Sequence, residues 1–345
     1  MLVLALETSC DETSASVVND KNVILSNIVS SSQELFESTG GVVPEVAARK
    51  QVEYVLPVID TALSKARVSL KDINYLAVTV GPGLIGSLFV GVSATKTLSL
   101  IINKPIIPVN HLLGHIFSVF VKEYQGTFLQ KTLPEFPLLS LVVSGGHTDL
   151  VLLKNPKEII YLGGTRDDAV GEAFDKVARM LGLSKYLGGP KISQKAKEFE
   201  LQNKKTKINF PRPLMDSDNY DFSFSGLKTA VLRYLESTSN FNISEVAYAF
   251  EEAVVEVLLY KLKKAYDTFK PKSVSIVGGV SANSKLREKA LDLFEHNLFL
   301  PPLYLCGDNA GMIGIASSYY FNTSTTNLSK INPNPSLSLQ KPFDK

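Results

Sequence analysis

The chain opens with a structural unit that it later repeats, and that repetition restricts the fold more than any other feature. A short apolar run over residues 2–6 breaks into the polar turn Glu7-Thr8-Ser9-Cys10-Asp11-Glu12-Thr13, and residues 14–18 turn apolar again. Residues 138–143, the turn Ser144-Gly145-Gly146-His147-Thr148 and residues 150–153 follow the same plan in unrelated sequence. Each reads as two strands joined by a polar turn. Between and after these units, strands alternate with helical periodicity. Val46, Val52, Val55, Leu56 and Ile59 fall at helical spacing within residues 44–63. A strand at 75–80 enters Gly81-Pro82-Gly83-Leu84-Ile85-Gly86 and a helix to about residue 100, and a strand at 106–109 follows. The second cycle predicts helices over 169–181, 194–207 and 243–269, then a strand at 273–277. Such alternation defines an α/β protein.

Composition narrows the setting. A length of 345 residues suits about two domains. The net charge is only +2, so any nucleic-acid contact must come from a local patch, and Lys204, Lys205, Lys207 and Arg212 around Phe210 form the basic cluster. Cys10 and Cys306 lie far apart and make no CxxC pair, which predicts a reducing compartment rather than a disulfide scaffold. The N-terminal apolar run is too short for a signal sequence, and no apolar run of about 18 residues is evident. The expectation is a cytoplasmic protein without a membrane span.

The histidines carry the first chemical signal. Among only four in the chain, His111 and His115 are spaced to share one helix face. Two imidazoles on one face are half of a divalent-metal site, usually completed by a distant carboxylate, and Asp308 is a candidate. The spacing alone fits a pair of packed histidines equally well, and Asp308 is equally well placed to cap the helix after it. Asp167 and Asp168 precede a helix and invite the same capping role. Asp11 and Glu12, if in a strand, would point opposite ways. Three strands enter glycine-rich turns, at residues 81–86, 144–146 and 278–283. Glycine lets backbone N–H groups approach phosphate oxygens, and a following helix N-terminus favours an anion. None matches the P-loop or the dinucleotide fingerprint.

Taken together, the ordered segments ETSCDET (7–13), GPGL (81–84), His111 with His115, SGGHT (144–148), DAVGEAFD (168–175), YDFSFSGL (220–227), GGVSAN (278–283) and CGDNAGM (306–312) resemble the bacterial-type tRNA threonylcarbamoyltransferase family TsaD, formerly termed O-sialoglycoprotein endopeptidases. The resemblance implies an actin/hexokinase/Hsp70-like (ASKHA) fold of two α/β lobes. Residues 1–125 and a helix around 309–321 would build the first lobe. Residues 126–308 would form the second, with helical insertions, and 322–345 a loose tail. It implies metal ligation by His111, His115 and Asp308, with one divalent metal per subunit, Fe(2+) ahead of Zn(2+). It places substrate binding at Val142, Val143, Ser144, Gly145, Gly146, Asp175, Gly189 and Asn283. The implied reaction moves a threonylcarbamoyl group from threonylcarbamoyl-AMP to N6 of adenine 37 in tRNAs reading ANN codons, with Asp11 or Glu12 as base. TsaB-like and TsaE-like subunits, or a homodimer, are the implied partners beside tRNA. Two departures stand out: Ser193 where many relatives carry an aspartate, and Ile331-Asn332-Pro333-Asn334-Pro335 in place of a basic, proline-rich end. A metallopeptidase, an ASKHA-type kinase or ATPase, and a non-catalytic scaffold are the competing readings. Leu112 stands where a zinc peptidase of the HExxH type needs its glutamate.

Overall fold

A computed structural model describes residues 1–37, 39–130 and 132–342. Two compact units emerge, Met1–Leu133 with Pro301–Lys345, and Pro134–Leu300. Both boundaries differ from those expected: residues 126–133 and 301–308 belong with unit 1. Asp308 therefore sits in the same unit as the histidine pair.

Unit 1 holds β1 (Leu2–Glu7), β2 (Glu12–Asn19), β3 (Val23–Ser31), the single turn α1 (Gln33–Phe36), α2 (Pro44–Ala66), β4 (Tyr75–Gly81), α3 (Ile85–Ile102), β5 (Ile106–Asn110), α4 (His111–Phe117) and the short β6 (Glu123–Tyr124) and β7 (Thr127–Phe128). Its sheet runs β5-β4-β1-β2-β3-β6-β7. β1, β2 and β3 are antiparallel neighbours, while β4 and β5 join β1 in parallel. Leu4 and Leu6 of β1 pack with Val55 and Ile59 of α2 and Val92 of α3. On the opposite face a buried helix returns from the C-terminal segment, and its Gly314 meets Ala5 and Val18. A sheet covered on both faces needs apolar residues on both, which is why β1 reads as a continuous run.

Unit 2 holds β8 (Leu138–Val143), β9 (Thr148–Asn155), β10 (Glu158–Gly164), α5 (Val170–Met180), α6 (Gly189–Glu200), α7 (Ser225–Ser237), α8 (Ile243–Phe269), β11 (Ser273–Val277), α9 (Ser284–Phe294) and β12 (Leu298–Phe299). Its sheet order is β10-β9-β8-β11-β12. Three antiparallel strands are again followed by two parallel ones. The repetition seen in the opening turns thus extends to the topology of both sheets.

Several expectations need correction. The lysine-rich helix ends at Glu200, because Asn203 turns left-handed (φ 53°) and the chain then runs extended, with Lys207 N–H donating to Glu245 at 3.1 Å. The segment beyond residue 322 is not loose: Ile331, Leu337 and Leu339 are buried, and Asn334 N–H donates to the Val80 carbonyl at 2.6 Å. The helix α10 (Ala310–Ser317) is capped by Asn309, not Asp308. Asp167 caps α7 instead of α5, accepting from Phe224 N–H at 2.8 Å. Helix α3 is long and apolar enough, at mean hydropathy 1.6, to cross a membrane by length and composition. Its Leu88, Val92 and Leu98 are buried where it packs on β4 and α2, while Ile85, Phe89, Leu100 and Ile101 are exposed.

Candidate functional site

Helix α4 starts where it does because Asn110 caps it. The Asn110 side chain accepts from Leu112 N–H at 2.9 Å and from Leu113 N–H at 3.3 Å. That start places His111 and His115 one turn apart on one face. Gly114 between them lets α10 pass close by, for a Cβ there would lie 2.6 Å from Ile313 Cδ1. The crossing brings Asp308, two residues before α10, to the histidines. Asp308 Oδ1 lies 3.1 Å from His115 Nε2 and 3.5 Å from His111 Nε2. The three donor atoms all fall within 4.8 Å of one another. Two imidazole nitrogens and a carboxylate, largely buried and facing each other, fit a first-row divalent ion with positions left for water or substrate. The His115 Nδ1 atom is buried without a hydrogen-bond partner among the described residues.

The surroundings of this cluster are strongly charged. Burial alone would lower the His111 imidazole, but Asp308 and Glu7 outweigh it and push it up to about 9. Burial would raise the Glu7 carboxyl, but the charge and hydrogen bond of His111 hold it below the usual carboxylate range. Burial, Asp308 and Asp11 push Glu12 well above that range. Asp11 and Glu12 do not point apart, as strand alternation would require. β2 begins only at Glu12, so Asp11 lies in the turn, buried, and the two carboxyls hydrogen-bond each other. Gln33 Nε2 also donates to Glu12 Oε1 at 2.6 Å.

In unit 2 the residues picked out in the sequence gather at the carboxyl ends of β8 and β11. Val142 and Val143 end β8 and are buried, whereas Gly145 and Gly146 are exposed and Ser144 half-exposed. The N-terminus of α5 abuts this turn, with Gly171 N–H donating to the Ser144 carbonyl at 3.2 Å. Gly278 (φ 91°) has room for no Cβ against the Val143 carbonyl. One turn along α5, Asp175 accepts from Gly188 N–H at 2.7 Å and so fixes the start of α6 at Gly189. Burial raises the Asp175 carboxyl despite those amides. Asn283 caps α9 through Leu286 N–H, and its Nδ2 donates to Ser193 at 2.9 Å and to Glu251 at 2.6 Å. Ser193, at the departing position, is thus bonded to a residue of the proposed site. Such an end of an α/β sheet is where ligands ordinarily bind.

Glu7, Ser9 and Thr79 are the residues the sequence reading missed around the histidines. Glu7 and Ser9 stood within the segment ETSCDET without a role of their own, and the only signal for Thr79 was its place near the end of β4.

The comparisons with known proteins agree among themselves. The family model described as TsaD, tRNA N6-adenosine threonylcarbamoyltransferase, matches residues 23–315. The chain is 47% identical to the tRNA N6-adenosine threonylcarbamoyltransferase of Persephonella marina, covering 94% of this chain and 92% of the relative. It is 45% identical to that of Halalkalibacterium halodurans, with 98% and 96% covered. Among solved structures it is similar to HypF of T. kodakarensis, at TM-score 0.61 and 14% identity over 93% of this chain and 48% of that one. It is also similar to the activator of 2-hydroxyisocaproyl-CoA dehydratase from Clostridium difficile, at TM-score 0.53 and 13% identity over 94% and 96%. These last two likenesses concern the fold, which is of the ASKHA type.

Proposed function

The chain belongs to the TsaD family of tRNA N6-adenosine threonylcarbamoyltransferases, and from that premise we propose how its residues divide the work of the transfer. It is an acyltransferase that forms N6-threonylcarbamoyladenosine in tRNA. The donor in this reading is threonylcarbamoyl-AMP, and the acceptor is N6 of adenine 37 in tRNAs reading ANN codons. The observation that carries the reading is the His111–His115–Asp308 cluster, in a chain similar to these transferases over nearly its whole length.

The chemistry sets three demands. An adenine amino group is a weak nucleophile because its lone pair is delocalised into the ring. The carbamoyl carbonyl must be polarised, a proton must leave N6, and AMP must depart. Unit 2 meets the last demand: in the turn that starts at Ser144, whose own N–H donates to the His147 carbonyl, the exposed Gly145 and Gly146 offer backbone N–H groups to the phosphate, with Val142 and Val143 at the end of β8 before them. Asp175 holds Gly188 and Gly189, and Asn283 ties α9 to α6, so both shape the floor of that binding region. Unit 1 supplies the rest. His111, His115 and Asp308 would hold one divalent ion, Fe(2+) or Zn(2+), whose chemistry there is Lewis-acid polarisation of a donor oxygen. Burial and the neighbouring Asp308 and Asp11 raise the Glu12 carboxyl well above the usual carboxylate range, and a more basic carboxylate is a better proton acceptor than an ordinary one. Asp11 and Glu12 are the proposed base for N6.

The peptidase reading loses support in the geometry. Leu112, at the place of a peptidase's general base, is buried in the core. For partners, the reading includes TsaB-like and TsaE-like subunits in the cytoplasm, with a homodimer as the alternative. What supports a partner subunit is an apolar surface on α2 and α3, where Val52, Leu56, Ile85 and Phe89 are exposed on two helices packed together.

The test is mass spectrometry of nucleosides from unmodified tRNA incubated with the protein, threonylcarbamoyl-AMP and TsaB-like and TsaE-like subunits. Threonylcarbamoyladenosine at the position 3′ of the anticodon is the expected product. Its absence in a reaction where a known relative forms it would refute the proposal.

A further inference from the structure

Glu7 ends β1 with its side chain wholly buried. A buried carboxylate is costly unless each oxygen is paired. Its Oε1 accepts from Ser9 N–H at 2.6 Å. Its Oε2 accepts from the Thr79 hydroxyl on β4. Two rigid strand ends thus fix the carboxylate plane without help from the histidines. The remaining capacity of Oε2 is aimed at His111 Nδ1, 3.2 Å away. Every group around Glu7 is then a donor, and an acceptor-only carboxylate satisfies them all.

We propose that Glu7 is the positioning residue of the metal centre: it holds the proton on His111 Nδ1, so that the Nε2 lone pair faces Asp308 and the ion. The inference rests on the reading of His111, His115 and Asp308 as metal ligands and deepens it. An imidazole bound through one nitrogen is oriented by what its other nitrogen donates to, and a carboxylate there also makes the ring more basic. Ser9 Oγ, 3.1 Å from the same Nδ1, is a second and neutral acceptor. His115 offers a contrast inside the same site, since its Nδ1 has no partner among the described residues. One ligand is aimed by a charge and the other by packing alone. A glutamine at position 7 cannot replace Glu7. To accept from Ser9 N–H its amide must turn the NH2 group toward Thr79 and His111, where it donates to Nδ1 and drives the imidazole proton onto Nε2, the nitrogen that should face the ion.

The experiment titrates full-length, metal-free protein with Zn(2+) against a chelating competitor. Wild type, Glu7→Gln, Thr79→Val, Ser9→Ala and His111→Ala are compared. Glu7→Gln should bind zinc about 10–100-fold more weakly, the usual effect of losing such a partner. Thr79→Val keeps the side-chain shape and removes only the donor that fixes Glu7, and should weaken binding by up to about tenfold. It carries the test if Glu7→Gln does not fold. Ser9→Ala should change affinity the least. In zinc-loaded wild type, long-range proton–nitrogen correlation should show His111 protonated at Nδ1, a signal displaced or lost in Glu7→Gln. Unchanged zinc affinity in folded Glu7→Gln, or in Thr79→Val where Glu7→Gln does not fold, overturns the role of Glu7. If His111→Ala still lowers affinity in that case, the metal centre itself stands. A wild type that binds no zinc, cobalt or iron overturns both.

Discussion

The two strand–turn–strand units share a topology and differ in how their turns are filled. In unit 1 the turn from Glu7 to Glu12 is crowded with its own protein. Glu7, Thr8, Ser9 and Asp11 are buried, and a Cβ on Gly83 (φ 155°) would stand 2.5 Å from the Ser9 carbonyl. Gly81 (φ 151°) is similarly pressed, against the Asn334 carbonyl of the C-terminal segment. In unit 2 a Cβ on Gly145, Gly146 or Gly279 would meet nothing within 4 Å. The glycines that press on the first turn and its surroundings, Gly83 and Gly81 after β4, are demanded by packing. Glycine in the second turn is demanded by nothing the chain itself provides, which is what a backbone cradle for a ligand looks like. One turn concentrates charge, and the other exposes amides.

The largest expected effect tests the crowded side. His111→Ala, His115→Ala and Asp308→Ala should each abolish transfer and strip bound metal, read by elemental analysis, while leaving adenine-nucleotide affinity unchanged. Full metal occupancy in all three would dissolve the distinction between the units. Next come the glycines. Gly81→Ala should destabilise unit 1 by about 3 kcal/mol in denaturant unfolding, through a strained φ and a backbone collision. Gly145→Val and Gly279→Val should shift stability by less than about 0.5 kcal/mol, yet weaken adenine-nucleotide binding about tenfold in calorimetry. Equal stability losses at Gly81 and Gly145 would break the comparison outright.

Much of this was legible beforehand, and the failures share a cause. β1, β2, β8 and β9 announced themselves because buried strands must be apolar. β3 escaped because half of its residues are only partly buried, so its sequence, VILSNIVSS, mixes serine and asparagine with valine and isoleucine. The C-terminal segment misled because its Ser, Asn and Pro residues dominate the count, while Ile331, Leu337 and Leu339 do the anchoring. His111 and His115 were readable from helical spacing. Glu7 was not, because nothing in a strand's sequence tells which buried end will meet a histidine 104 residues away.

Smaller effects sharpen the account of unit 2. Lys204, Lys205 and Lys207 are exposed beyond the end of α6, whereas Arg212 is bound to Glu256 at 2.6 Å. Neutralising the three lysines should flatten the salt dependence of tRNA binding by about 0.7–0.9 in log–log slope per lost phosphate contact, with nucleotide affinity unchanged. A filter-binding titration with an unchanged slope would move the RNA footprint elsewhere. The smallest effect concerns Asp168, a paired acid unlike Glu12. Burial would raise it, but Lys176 and Lys228, each at 2.7 Å, hold it at about 2. A depressed carboxyl contributes stability above its unfolded value, near 3.9, and loses it as pH falls through about 2. Asp168→Asn should therefore cost about 1–2 kcal/mol at pH 7 and progressively less as pH falls toward and below 2, read as urea midpoints against pH.

Unit 1 is written in two pieces, with the whole of unit 2 spliced between them. His115 and Asp308 are 193 residues apart in the chain. A ribosome therefore releases the histidines long before the carboxylate that completes their set. Until α10 arrives, the β1–β2–β3 sheet lacks one of its two apolar covers, and the half-made centre has no third ligand. Unit 2, continuous from Pro134 to Leu300, has every contact of its own core in hand before that moment. The order of synthesis thus withholds the His111–His115–Asp308 cluster until almost the entire protein exists, so a chain cut short before Asp308 carries only two of the three residues proposed to hold the metal.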